Sequence, residues 1–134
     1  MESAVRRHCE CGGAGAPARA RDEVHGLVED VLLSGHRVPA EAEAAALLVV
    51  SELVTNAVRH TRGPCALDVT WAPDGIDIDV TDTSSTPPRL RPLDPSGAEG
   101  GYGWRIVRTL ASEVAVRPVR GNGKTVHAHV PLSA

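Results

Sequence analysis

Apolar positions Val24, Leu27, Val28, Val31 and Leu32 recur at helical spacing and predict a first helix over about residues 21–33. Ser34-Gly35 supplies its stop. A second helix is predicted from Pro39, suited to a first turn, to about residue 61. Glu41 and Glu43 sit near its positive end, and Arg59, His60, Gly63 and Pro64 close it. Its stretch 44–50 (AAALLVV) is apolar without a break, so burial on more than one side is expected. Strict alternation follows. Leu67, Val69 and Trp71 alternate with Asp68 and Thr70, Pro73-Asp74-Gly75 turns, and Ile76, Ile78 and Val80 alternate with Asp77 and Asp79. That is a hairpin with one apolar face. A third helix, opened by Gly100, Gly101 and Gly103, carries Ile106, Val107, Leu110 and Val114 at core spacing. Val114 and Val116 lead into a further strand, and Val126, Ala128 and Val130 face inward on the last one. Together these elements predict an α+β fold: a two-layer sandwich with helices on one face of a mostly antiparallel sheet.

Three breaks in the pattern carry chemistry. Glu52, Asn56 and His60 fall four residues apart on one stripe of the second helix, just after its fully apolar segment. Asp82 has the parity of Ile76, Ile78 and Val80, so it is expected to point toward the core, where a carboxylate needs a donor or a ligand. Glycines at the start of the third helix let backbone amides approach an anion at the positive helix end. If these features line one interlayer cavity, they suit a purine nucleotide. A buried carboxylate accepts from an exocyclic amino group, an amide oxygen is a hard ligand for phosphate-bound Mg²⁺, and Glu52 can deprotonate an attacking hydroxyl. There is no GxxxxGK[ST], so this is not a P-loop.

Composition narrows the alternatives. The 134 residues fit one domain, and with 42% hydrophobic and 23% charged residues the chain has a globular balance. Phe is absent, Tyr102 stands alone, and only Trp71 and Trp104 join it, so Ala, Val and Leu must fill the core. A bound adenine therefore depends on aliphatic walls and Asp82 rather than on Phe or Tyr stacking. The formal net charge of -3 offers no basic field for nucleic acid. No apolar run is long enough to span a membrane, and the polar N-terminus has no secretory h-region, so a cytoplasmic location is expected. Cys9, Cys11 and Cys65 are too few and too unevenly placed for a disulfide framework. Of fourteen basic residues only Lys124 is a lysine, and the Arg excess argues against separate roles for each arginine.

SELVTNAVRHT resembles the N box, VTDTSST a degenerate G1 box, and GGYGW the G2 box of the GHKL (histidine-kinase-like) ATPases. The nearest resemblance is to the single-domain anti-sigma-factor serine/threonine kinases of actinobacteria, over about residues 18–132. It implies a Bergerat ATP-binding fold over residues 18–134; residues 1–17, without periodicity, are expected to be flexible or an edge strand, and the proline-rich, aperiodic residues 83–100 to be a lid or a linker. It further implies ATP and Mg²⁺ as cofactors: Asn56 holding Mg²⁺, Glu52 as catalytic base, Asp82 on adenine, and Gly101 and Gly103 near phosphate. Arg105, in the first turn of the glycine-initiated helix, is a further phosphate candidate, and Thr125 matches a late Thr of such kinases. A sigma factor or an anti-sigma-factor antagonist is the implied partner, and a homodimer the implied assembly. The chain makes three departures from the family pattern. Ser84 and Thr86 stand where its G1 box has glycines, Trp104 replaces its G2 Leu, and strand parity puts Thr125 opposite Val126, Ala128 and Val130.

The missing glycines keep a second reading open: a module that senses ATP, or binds partners without it, and transfers no phosphate. Other clusters are weaker. His8 with Cys9 and Cys11 offers soft ligands but not the four well-spaced ones of a closed zinc site. His127 and His129 share a strand face expected to be solvated, Arg89 and Arg91 read as solvated charge on the lid, and Cys65 reads as a small buried hydrophobe.

Overall fold

The alternating segments pair into one sheet. A computed structural model describes residues 5–60, 63–83, 101–121 and 123–133. In chain order the elements are β1 (Arg6–Cys11), α1 (Ala16–Leu33), α2 (Ala40–His60), β2 (Cys65–Ala72), β3 (Gly75–Asp82), α3 (Gly101–Leu110), β4 (Glu113–Val119) and β5 (Gly123–Pro131). The strands form a five-stranded sheet in the order β1-β2-β3-β5-β4, antiparallel at every pairing. Helices α1 and α2 pack on β1, β2, β3 and β5, and α3 packs on α2 and β4. This is the α+β two-layer sandwich expected from the pattern.

The core lies between the layers. Leu67, Val69, Ile76, Ile78, Val80, Ala128 and Val130 from the sheet meet Val24, Leu27 and Val31 of α1 and Val49, Val50, Leu53 and Val54 of α2. With no Phe to bury, many small contacts replace a few large ones, and Trp104, 5% exposed, is the one aromatic ring buried in the core among the described residues. Helix α2 touches α1, α3 and three strands, as its apolar run predicts, yet Leu48 within that run is half exposed.

One boundary departs from the sequence pattern, and one open alternative takes the form of a strand. Helix α1 starts at Ala16, five residues before the predicted residue 21, with Pro17 in its first turn and the small Ala16 and Ala20 fully buried. Residues 6–11 form the edge strand β1, although its inward positions are Arg7, Cys9 and Cys11 rather than branched aliphatics. Arg7 is held there by Glu23 and Asp30 of α1, at 2.7 and 3.2 Å, and these partners raise its already high pKa. Gly26 makes room for it: a Cβ would run into the Arg7 guanidinium. The predicted stop holds, with Gly35 at a left-handed φ of 90° just beyond α1.

Candidate functional site

Asp82 ends β3 on the inward parity, as its alternation requires, and its side chain is only 3% exposed. The donor it needs is Lys124. The two residues are directly opposed across β3 and β5, and Lys124 Nζ donates to both carboxylate oxygens, at 3.0 and 2.9 Å. The Lys124 side chain is itself 8% exposed. Sequence reasoning passed over this residue because a lysine reads as a surface group. The available signal was its parity, shared with Val126, Ala128 and Val130, opposite a carboxylate already assigned to the core.

Glu52 and Asn56 sit four residues apart on α2, half buried, beside the core positions Leu53 and Ala57. Neither side chain has a hydrogen-bond or ion-pair partner among the described residues. The first turn of α3 closes over Glu52. Gly103 is buried against it so tightly that a Cβ would overlap the carboxylate. The acidic oxygens of Glu52 are thus uncommitted where the first turn of α3 meets them, and the amide oxygen of Asn56 stands one helical turn further on, a hard-oxygen donor set that fits Mg²⁺ bound to phosphate. Gly101 is the first residue of α3, and Arg105 in the same turn is exposed.

The remaining candidates lie elsewhere. Thr125 projects to the opposite, outer face of the sheet, where its hydroxyl is 2.7 Å from that of Thr81, so the structure does not bring it to Asp82. The side chain of His60 and residues 84–100, which hold Ser84, Thr86, Arg89, Arg91 and nearly all of the predicted lid, lie outside the described residues.

His8 points outward to Asp68 at 2.8 Å, while Cys9 and Cys11 bring their sulfurs within 2.7 Å of each other. Among the described residues no group of three or more His, Cys, Asp or Glu is placed to hold a metal. Burial pushes the Cys9 thiol up to about 12 and the Cys65 thiol up to about 11, reinforced in each case by Cys11, so both stay protonated and unreactive near neutrality. His127 and His129 are more enclosed than a solvated face implies, at 14% and 16% exposure, because Asp79 and Asp77 bind them at 2.9 and 2.7 Å.

Residues 14–129 match the histidine kinase-like ATPase domain. The chain belongs to this family. Its stretch of match runs from the turn before α1 to β5 and includes Glu52, Asn56, Asp82, Gly103 and Lys124. No curated protein matches the sequence. Among solved structures, the crystal structure of the RsbU and RsbW domains of Rv1364c from Mycobacterium tuberculosis is similar in fold, with a TM-score of 0.68 and 16% identity. The alignment covers 95% of this chain and 32% of that one, so the chain spans about a third of its length. Membership in an ATPase family makes ATP the expected ligand of the domain. Among the described residues, no helix of this ATPase domain is long and apolar enough to cross a membrane.

Proposed function

We propose that the chain is an ATP-dependent regulatory protein kinase of the anti-sigma-factor type. It would transfer the γ-phosphoryl group of ATP to Ser or Thr of a small antagonist protein and control transcription in the cytoplasm through protein–protein contacts. The observation that carries this reading is the seam where Gly103 of α3 closes on Glu52, one helical turn from Asn56. Mg-ATP, when bound, supplies the activated phosphoryl group and the charge neutralisation its transfer requires.

The chain's own residues then divide the work. Asn56 offers the amide oxygen that would hold Mg²⁺. The α3 amides at Gly101 and Gly103 would hold phosphate, and exposed Arg105 would add a charge for the same anion. Glu52 would accept the proton of the attacking hydroxyl as the hydroxyl oxygen bonds to the γ-phosphorus, and ADP would leave with the electron pair of the broken P–O bond. Asp82 accepts from the base's amino group. Three oxygen-bearing side chains and one helix N-terminus are few parts, but phosphoryl transfer needs positioning and charge more than covalent chemistry.

The competing reading is a module that binds nucleotide or partner and transfers nothing. Ser84 and Thr86 in place of G1 glycines favour it, as does the commitment of Asp82 to Lys124. Labelled γ-phosphate separates the two. The kinase reading expects label on a Ser or Thr of a co-encoded antagonist, lost in Glu52→Ala. ATP binding without transfer to any such partner, with Glu52→Ala unchanged, favours the module.

A further inference from the structure

Lys124 is the chain's only lysine, and it is buried beside the carboxylate that would read a nucleotide base. The strands hold it there. It lies directly across from Asp82, and at the neighbouring Gly123 a Cβ would overlap the Asp82 carbonyl oxygen, so β5 runs tightly against the end of β3. The ammonium grips both carboxylate oxygens, at 3.0 and 2.9 Å. The site therefore presents two chemically opposite groups side by side, acceptors from Asp82 and charged donors from Lys124. Both have a further interaction within the chain, so a ligand shares these groups rather than finding them vacant.

A carboxylate alone reads only an amino group. A carboxylate with an adjacent ammonium reads an amino group next to an unprotonated ring nitrogen, because one accepts and the other donates. Adenine offers that juxtaposition on two edges, N6 with N1 and N6 with N7, and we take the edge that carries N1. We infer that Lys124 is a base-recognition residue, donating to adenine N1 while Asp82 accepts from the N6 amino group. This rests on the nucleotide-site reading above and adds to it a residue and a selectivity. A charged donor is stronger than a neutral one, and in a water-poor site its unmet partner is costly, so loss of the N1 acceptor is felt in affinity.

The test compares ATP with 1-deaza-ATP, which keeps the amino group and replaces N1 by C–H, in calorimetric titrations of the full chain. Wild type is expected to bind ATP tighter by on the order of 10–100-fold, the range for a hydrogen bond to a charged group. In Lys124→Met the ratio falls to about one. Because that variant leaves Asp82 buried without its cation and can fail to fold, Asp82→Asn combined with Lys124→Met serves beside it. The pair carries no buried charge, keeps an acceptor for the amino group, and is expected to bind both nucleotides alike. A purely structural role for Lys124 would weaken both ligands together and leave the ratio intact. A wild-type ratio near one, or the wild-type ratio persisting in either folded variant, overturns the inference while ATP binding stands. No saturable ATP binding in wild type removes the nucleotide-site reading and this inference with it.

Discussion

Asp82 and Asp79 lie three residues apart on β3 and point to opposite faces of the sheet, and each meets a cationic or ionisable partner on β5. Inward, Asp82 is 3% exposed and is gripped at both oxygens by Lys124. Outward, Asp79 is 29% exposed and meets His127 through one oxygen at 2.9 Å. The outer pair belongs to a row across the sheet in which Asp68 and Asp79 stand directly opposed, flanked by His8 and His127. Water reaches that row and screens it, so like charges can stand opposite each other at small cost. The inner pair has little such relief. A charge is kept there only with its partner, which suits a place where a ligand is to be recognised.

Breaking the inner pair is the strongest test of this contrast. Lys124→Met should destabilise the chain by about 3–5 kcal/mol in urea unfolding, because it strands a buried carboxylate. Adding Asp82→Asn should restore much of the loss, since no uncompensated charge remains. A loss under about 1 kcal/mol for the single variant would mean that the inner pair behaves like a surface pair.

The next effect concerns activity rather than folding. Gly103→Ala should leave stability within about 1 kcal/mol, because a helical alanine is favourable and the Glu52 side chain can turn aside. That displacement should cost phosphoryl transfer on the order of 100-fold. Retained transfer with intact folding would remove Glu52 from the reaction.

A third test uses alkaline pH. Cys9 and Cys65 are held protonated up to about 12 and about 11, against an ordinary value of 9.0. Above about pH 9 the unfolded chain releases these thiol protons while the folded chain keeps them. Stability is therefore complete below that pH and declines as pH rises toward the folded-state values. The urea midpoint should fall between about pH 8 and about pH 10.5, and less steeply in Cys65→Ala. An equal slope in both would assign the decline to other groups.

The smallest effect belongs to the outer face. A double-mutant cycle on His127 and Asp79 should give a coupling of about 0–1 kcal/mol, and a value near that of the inner pair would erase the contrast.

How much of this was legible in the sequence depended on what each position buries. The hairpin β2–β3, with Leu67, Val69, Ile76, Ile78 and Val80 alternating against polar residues, was readable because one face is aliphatic and the other is not. Strand β1 was readable only as one of two alternatives for residues 1–17, since its inward face is Arg7, Cys9 and Cys11, and Arg7 is acceptable there only because Glu23 and Asp30 arrive from α1. The early start of α1 was hidden for a related reason: Ala16 and Ala20 give no amphipathic signal, yet both are fully buried. At the site, the helical spacing of Glu52 and Asn56 and the parity of Asp82 were local facts. The partnership of Asp82 with Lys124 depends on the register of β5 against β3, which no local pattern states. The same register carries Thr125 to the outer face.

The central claim is that the inner face, between Asp82 and the α2–α3 seam, binds a purine nucleotide. Titration of Mg-ATP into wild type, Asn56→Ala, Asp82→Ala and Thr125→Ala addresses it most directly. Saturable binding in wild type is expected, weakened by on the order of tenfold or more in Asn56→Ala and Asp82→Ala and unchanged in outward-facing Thr125→Ala. Absence of saturable binding, or binding that the two inner-face substitutions leave intact, would contradict it.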